Sequence, residues 1–309
     1  MEKNSPYAAV TPNLDLWTVQ QAVLQWTHEA ADLCIELFLG TKRVLETQAE
    51  QIGPVVAALH PLAVSCTYTS ESVLLLTSSV KPWDGDALLR SVIEGTAKFL
   101  HLAHGSPEER AAKLREFDID LPEINRIKRH KRAADFLAAI PNPNDDEWRP
   151  LREVLLPPSE LAELGEKYPR KARQTLESRW SFGGIVTEME RIPDHPFKGM
   201  RHLLHNYGLS SHIIHQDSDG VSIVTDRIAR STERREAVTL AHCGRVVSDV
   251  VSMTLLRATA AVALAGTETA WLIPLLKRRE ALAASIQPAH GQFHDIEFGS
   301  QTRAASPPG

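Results

Sequence analysis

The sequence is poor in cysteine: Cys34, Cys66 and Cys243 are the only three among 309 residues. An odd, widely spaced set builds neither a disulfide framework nor a four-cysteine zinc site. Cationic excess is also missing. Thirty-four Lys+Arg stand against 39 Asp+Glu, a formal charge of −5. That excludes nucleic-acid binding through bulk positive charge, though not through a local basic patch. No dinucleotide-binding or Walker glycine pattern is present, which removes two common phosphate cradles. There is no Gly-x-Ser-x-Gly elbow and no His-Glu-x-x-His zinc motif. No internal repeat of fixed period occurs. The opening Met1-Glu-Lys-Asn-Ser-Pro6 lacks a hydrophobic leader, and with unpaired cysteines this points to a cytoplasmic protein.

What is present suits a globular chain. Hydrophobic residues make up 43% and charged residues 24%, enough for a sizeable core in one large domain or two modest ones. The most apolar stretch, 246–266, has the length of a bilayer span. Asp249 and Arg257 lie inside it, and each would cost ~2.5–3.5 kcal/mol at the centre of an inserted helix. A buried core helix is the cheaper outcome, so no membrane is expected.

Helical periodicity dominates. Leu16, Val19, Val23, Trp26 and Ala30 recur at alternating three- and four-residue steps, one face of a helix. Gly40-Thr41 reads as a stop and restart. A second helix over 44–60 is expected to break at Pro61. Segment 62–78 is ambiguous, since its serine and β-branched content weakens helix propensity. The helix over 87–102 is the clearest, with Asp84 as its cap. Ser106 and Pro107 announce another helix start, and 108–140 reads as helix interrupted near 118–122. Pro141-Asn-Pro-Asn marks a loop that divides the chain. Further helices are expected near 159–167, 169–180, 185–191, 197–215, 233–264 and 267–284, with a short strand conceivable at 220–225. The expected fold is all-α, a compact multi-helix bundle with a disordered C-terminal tail. An arm covers 1–15, a helical domain 16–286 with a subdivision near 141–147, and a flexible tail 287–309.

One polar helix face stands out. Tyr207, Ser211 and His215 are spaced i, i+4, i+8 and fall within a strip of roughly 80° on an ideal helix. All three side chains donate and accept protons. Such a face serves either as a ligand niche or as a buried hydrogen-bond network that fixes packing. Arg90 and Glu94 lie one turn apart on an apolar helix, where at least one of them needs a partner from elsewhere.

These residues also carry a resemblance. Arg90-Ser91-x-x-Glu94, Arg179-Trp180-Ser181-x-Gly183 and Tyr207-x3-Ser211-x3-His215, followed by Asp217 to Gly220, resemble the three ordered signatures of a bacterial domain-of-unknown-function family. The resemblance covers about 67–220, half the chain. It implies an all-helical bacterial protein, assigns no reaction, and turns attention to Arg90, Glu94, Tyr207, Ser211 and His215 as a binding cluster.

Other chemistry is sparser. Arg235 and His242 are seven residues apart and resemble the Arg-x4–6-His motif of HEPN ribonucleases, in which guanidinium and imidazole support metal-independent attack by an RNA 2′-hydroxyl. Glu236 departs from that pattern by setting an anion beside the intended phosphate site. The basic run 126–132 could supply phosphate contacts, but no aromatics are interleaved to stack bases, and a solvated helix face is the simpler reading. His202/His205 and His212/His215 are i, i+3 pairs that could hold a metal with Glu94 or Asp217. The leading expectation is a binding or regulatory helical protein without a cofactor. Its partner would be an unidentified protein or small molecule, with self-association open. A HEPN-like ribonuclease using Arg235 and His242 is the alternative, and a metal-dependent hydrolase on the histidine pairs the third.

Overall fold

The computed structural model describes residues 16–193 and 195–304. Among these no strand occurs. The main helices are α1 (Leu16–Thr47), α2 (Val56–Ser78), α3 (Pro82–Ala103), α4 (Pro107–Arg115), α5 (Leu121–Ala139) and α6 (Pro158–Lys167). They continue as α7 (Arg170–Arg179), α8 (Phe182–Arg191), α9 (Leu203–His215), α10 (Ser218–Ala229), α11 (Thr232–Ala265) and α12 (Leu272–Ala304).

The central bundle is α1, α2, α3, α11 and α12, with α11 touching the other four. Val246, Val247, Val250, Val251, Ala258 and Ala261 of α11 are buried almost completely, which is why this helix shows so wide an apolar surface. It is the one described helix long and apolar enough to cross a membrane, yet 61% of its most apolar window is covered by the rest of the chain. Its charges are accommodated internally. Arg245 pairs with Asp249 at 2.9 Å, and buried Arg257 donates to the hydroxyls of Thr96 and Thr254. A smaller core of Ile124, Ile127, Leu164 and Tyr168 holds α5 against α6.

Local signals explain most helix ends. Ser106 accepts from the Glu109 amide while the Glu109 carboxylate accepts from the Ser106 amide, a capping box with Pro107 in the first turn. The interruption expected near 118–122 is a π turn over Glu116–Asp120. Asp84 lies inside the first turn of α3 and does not cap it, because Pro82 already starts the helix.

Several expectations are corrected. Gly40 stops nothing: α1 runs through it, and its missing side chain makes room for Trp271, whose ring would lie 2.2 Å from an added Cβ. The break comes at Gly53-Pro54, where Gly53 takes φ +84°. Pro61 sits inside α2, in its second turn, and the helix runs on without the amide bond that the Ala57 carbonyl would otherwise accept; the ambiguous 62–78 is helical. Segment 220–225 is the middle of α10. Helix α12 extends through 287–304, part of the expected flexible tail. Ile286 and Ala289 are buried and His290 bonds the Ala241 carbonyl at 3.2 Å, so contact with α11 holds a segment whose composition alone looked weak. The expected arm, 1–15, and residues 305–309 lie outside the described residues.

Candidate functional site

Two polar centres lie along α3. The first gathers the motif residues. Glu94 accepts from the Tyr207 hydroxyl at 3.0 Å and pairs with Lys98 at 2.7 Å. Arg90, one turn earlier, places its guanidinium 4.2 Å from the centre of the Tyr207 ring. Phe182 packs against that ring at 4.6 Å. Residues of the first and third motifs therefore meet at one phenol, beside the unspecified position of the second, whose Arg179 and Trp180 bond Glu116 instead. Burial raises the Glu94 carboxyl, but Lys98, Tyr207 and Arg90 together hold it below the ordinary range. Burial raises the Tyr207 phenol. Glu94 is ionised and Tyr207 is a neutral donor, so the contact is a charge-assisted hydrogen bond joining α3 to α9.

The rest of the expected strip diverges. Ser211 is half-buried and His215 is exposed; neither bonds Glu94 or Tyr207. Helix α9 ends at His215, with Gln216 in the left-handed conformation. Asp217 then caps α10 by accepting from the Gly220 amide at 3.0 Å and meets His212 Nδ1 at 2.7 Å. Gly220 is obligatory here. A Cβ on it would lie 2.3 Å from the His212 carbonyl oxygen. The third motif thus builds the tight α9–α10 corner. The two histidine pairs do not assemble into a ligand set. No group of three or more His, Cys, Asp or Glu with metal-binding geometry occurs among the described residues.

The second centre lies one turn before Arg90. Asp86 of α3 is buried, and so is His242 of α11. His242 Nε2 meets Asp86 Oδ2 at 2.6 Å, and Arg245 also pairs with that carboxylate. On the other side of the ring, Arg227 Nη1 lies 3.0 Å from His242 Nδ1. The partners fix the tautomer. A carboxylate only accepts and a guanidinium only donates, so Nε2 carries the proton and Nδ1 accepts from Arg227. A second ring proton would face the Arg227 N–H group head-on.

Electrostatics agree with that assignment. Burial lowers the His242 imidazole more than Asp86 raises it. Burial raises the Asp86 carboxyl, yet bonds and charge from His242 and Arg245 hold it below its usual range. The ring is neutral and the carboxylate ionised. Trp83 completes the centre, edge-on to His242 at 4.5 Å and under the Arg227 guanidinium at 4.0 Å. Arg227 has no carboxylate of its own within ion-pair distance among the described residues. Burial, with Arg230 and Arg245 nearby, pushes it down to about 10. The group borders a cavity of about 300 Å³ whose walls include Trp83, Asp86, Arg227, His242, His290 and Phe293. The last two come from the second half of α12, the segment whose sequence reads as tail.

Arg235, the residue paired with His242 in the sequence, is not its partner in space. It reaches the Ile228 carbonyl at 3.3 Å and Thr232 Oγ1 at 3.4 Å. The arginine beside His242 is Arg227, which sequence spacing did not single out. The basic run also turns inward in part. Arg126 pairs with Glu160 and Lys128 with Glu177, Ile127 is buried, and His130 Nδ1 accepts from the Leu156 amide at 3.0 Å. These contacts tie α5 to α6 and α7 and leave Arg129, Lys131 and Arg132 exposed.

The three cysteines are buried and free. Burial pushes the Cys34 thiol up to about 11 and the Cys243 thiol up to about 12, which leaves neither as a nucleophile at neutral pH. Comparison with protein-family models, with curated proteins and with solved structures finds no match to this chain.

Proposed function

We propose that the chain is a helical binding or regulatory module that takes a small anionic ligand at the Arg227–His242 centre, and that it acts in the cytoplasm. One observation carries the reading. Arg227 is a half-buried cation with no carboxylate partner among the described residues, stacked on Trp83 at the wall of a cavity. An uncompensated buried charge is costly, and an incoming anion is what would offset it. Guanidinium suits carboxylate and phosphate oxygens by its paired N–H geometry. The motif residues fit as the frame of this site. The Tyr207–Glu94 contact holds α9 against α3, the Gly220 corner folds α10 back on α9, and α10 carries Arg227. The meeting of Glu94 with Tyr207, from the first and third motifs, also supports membership of the bacterial family of unknown function that the motifs resemble.

The test is thermal unfolding with inorganic phosphate and with acetate, on the natural chain and on Arg227→Met. The reading expects a saturable rise in melting temperature with at least one anion that the variant loses. No rise with either, or equal rises in both proteins, removes it.

A second reading is a metal-independent ribonuclease. It is favoured by Asp86 orienting His242 with an arginine at the other ring nitrogen. Arg227 would swing onto an RNA phosphate and free Nδ1, which would take the 2′-hydroxyl proton. The 2′-oxygen would attack phosphorus, and the 5′-oxygen would leave with a proton from solvent. RNA cleavage in EDTA that disappears in His242→Ala would support it; full activity of that variant would end it.

A further inference from the structure

The cavity at His242 has a larger neighbour. A groove of about 730 Å³ separates the start of α3 from the α9–α10 corner, and Trp83 and Arg227 belong to the walls of both spaces. Its volume is that of an ordinary small-molecule site.

The groove joins an apolar wall to a cationic one. Its walls carry Ile214, Val221 and Ile228, which remain 45%, 48% and 42% exposed. Single exposed aliphatics are normal, but three around one groove form a patch. The same walls carry Lys81, Arg227 and Arg235 against the single carboxylate of Asp84. Neither arginine has an acidic partner among the described residues. The Nε of Arg235 is buried with no hydrogen-bond partner, and its other bonds are long. It reaches the Ile228 carbonyl, one residue along the chain from Arg227.

We infer that this groove takes an amphipathic carboxylate, a fatty-acid-like molecule with its hydrocarbon along α10 and its carboxylate at Arg227, with Arg235 beside it. The inference rests on the anion site proposed above and names its ligand class. The charge complement selects against the other classes. A neutral hydrocarbon would cover Ile214, Val221 and Ile228 but leave two guanidiniums unmatched. A bare phosphate would satisfy the guanidiniums and leave the apolar wall wet. A carboxylate on an alkyl chain answers both, through paired guanidinium bonds at one end and apolar burial along the other.

The experiment is isothermal titration of the full chain with laurate below its micellar concentration, with dodecanol and with acetate. It is repeated on Arg235→Gln and on Ile214→Ser, whose exposed site keeps folding safe; circular dichroism checks both. Laurate should bind one to one, at least tenfold tighter than either acetate or dodecanol. Arg235→Gln should weaken laurate several-fold. Ile214→Ser should weaken laurate several-fold while leaving acetate within twofold. Acetate binding as tightly as laurate overturns the inference and leaves the anion site standing. Laurate binding that ignores Arg235→Gln, or that dodecanol matches, overturns it as unspecific apolar capture. A concentration-dependent dimer that Ile214→Ser dissociates overturns it in favour of a second copy of the chain. If neither acetate nor laurate binds, the inference falls; the anion site falls with it only when phosphate also leaves the melting temperature unchanged.

Discussion

Replacing Arg227 by methionine should leave stability almost untouched, which is unusual for a half-buried, hydrogen-bonded residue. The arithmetic comes from its surroundings. The substitution removes the hydrogen bond to His242 Nδ1, worth about 2 kcal/mol because a buried acceptor is left unpaired, and the cation–π contact on Trp83, worth about 1 kcal/mol. It also removes a charge that burial pushes down to about 10. Relief of that strain would be about 3 kcal/mol at face value, and less once screening by solvent at a partly exposed side chain is allowed for. Methionine refills the space over Trp83 without a charge. Loss and gain nearly cancel, and the variant should unfold within about 1 kcal/mol of the natural chain. Urea denaturation with an unchanged m-value measures this. A loss greater than about 3 kcal/mol would show that Arg227 holds the fold together, and the case for a cation kept for a ligand would fail.

Other perturbations test the frame around the site. Gly220→Ala drives a Cβ into the His212 carbonyl and should cost about 1–3 kcal/mol, read as a lower melting temperature; an unchanged value would refute the tight α9–α10 corner. Tyr207→Phe removes the donor to Glu94 and should cost ~1–2 kcal/mol, with Glu94→Gln adding little more in a double-mutant cycle. Acid should destabilise the chain below about pH 6.5, because burial, with Lys113 and Arg179 nearby, pushes buried His101 down to about 3. The unfolded chain then binds more protons over that range, so stability rises with pH. The loss between pH 6.5 and 5 should approach ~2 kcal/mol from this histidine, and a flat profile in urea melts at both pH values would contradict its neutral burial.

Helix content was readable because long segments such as α11 repeat apolar residues around a buried axis. The misreadings had one physical origin: short-range signals whose meaning tertiary contact sets. Gly40 looked like a stop, but its missing side chain admits Trp271. The last turns of α12 looked like tail, but Ala289 and His290 lie on α11. The meeting of Glu94 with Tyr207 was anticipated from one acidic residue on an apolar helix and one polar face. His215 does lie on that face, but in the last turn of α9, two turns beyond Tyr207, where it is exposed to solvent. The Asp86–His242–Arg227 centre was not legible. Asp86 is 156 residues from His242 and lies among apolar neighbours, and Arg227 follows a stretch that suggested a strand. A hint was present in Arg245 and Asp249, an i, i+4 charge pair inside the most apolar helix, whose burial required a further partner.

The most direct test of the Arg227–His242 centre is the nitrogen NMR spectrum of the His242 ring at neutral pH, followed as phosphate or acetate is added. The free protein should show a neutral ring protonated at Nε2, with Nδ1 an acceptor. Nδ1 should then shift saturably as Arg227 turns to the anion. A ring already protonated at both nitrogens, or an Nδ1 signal that stays fixed while the anion binds, would contradict the account.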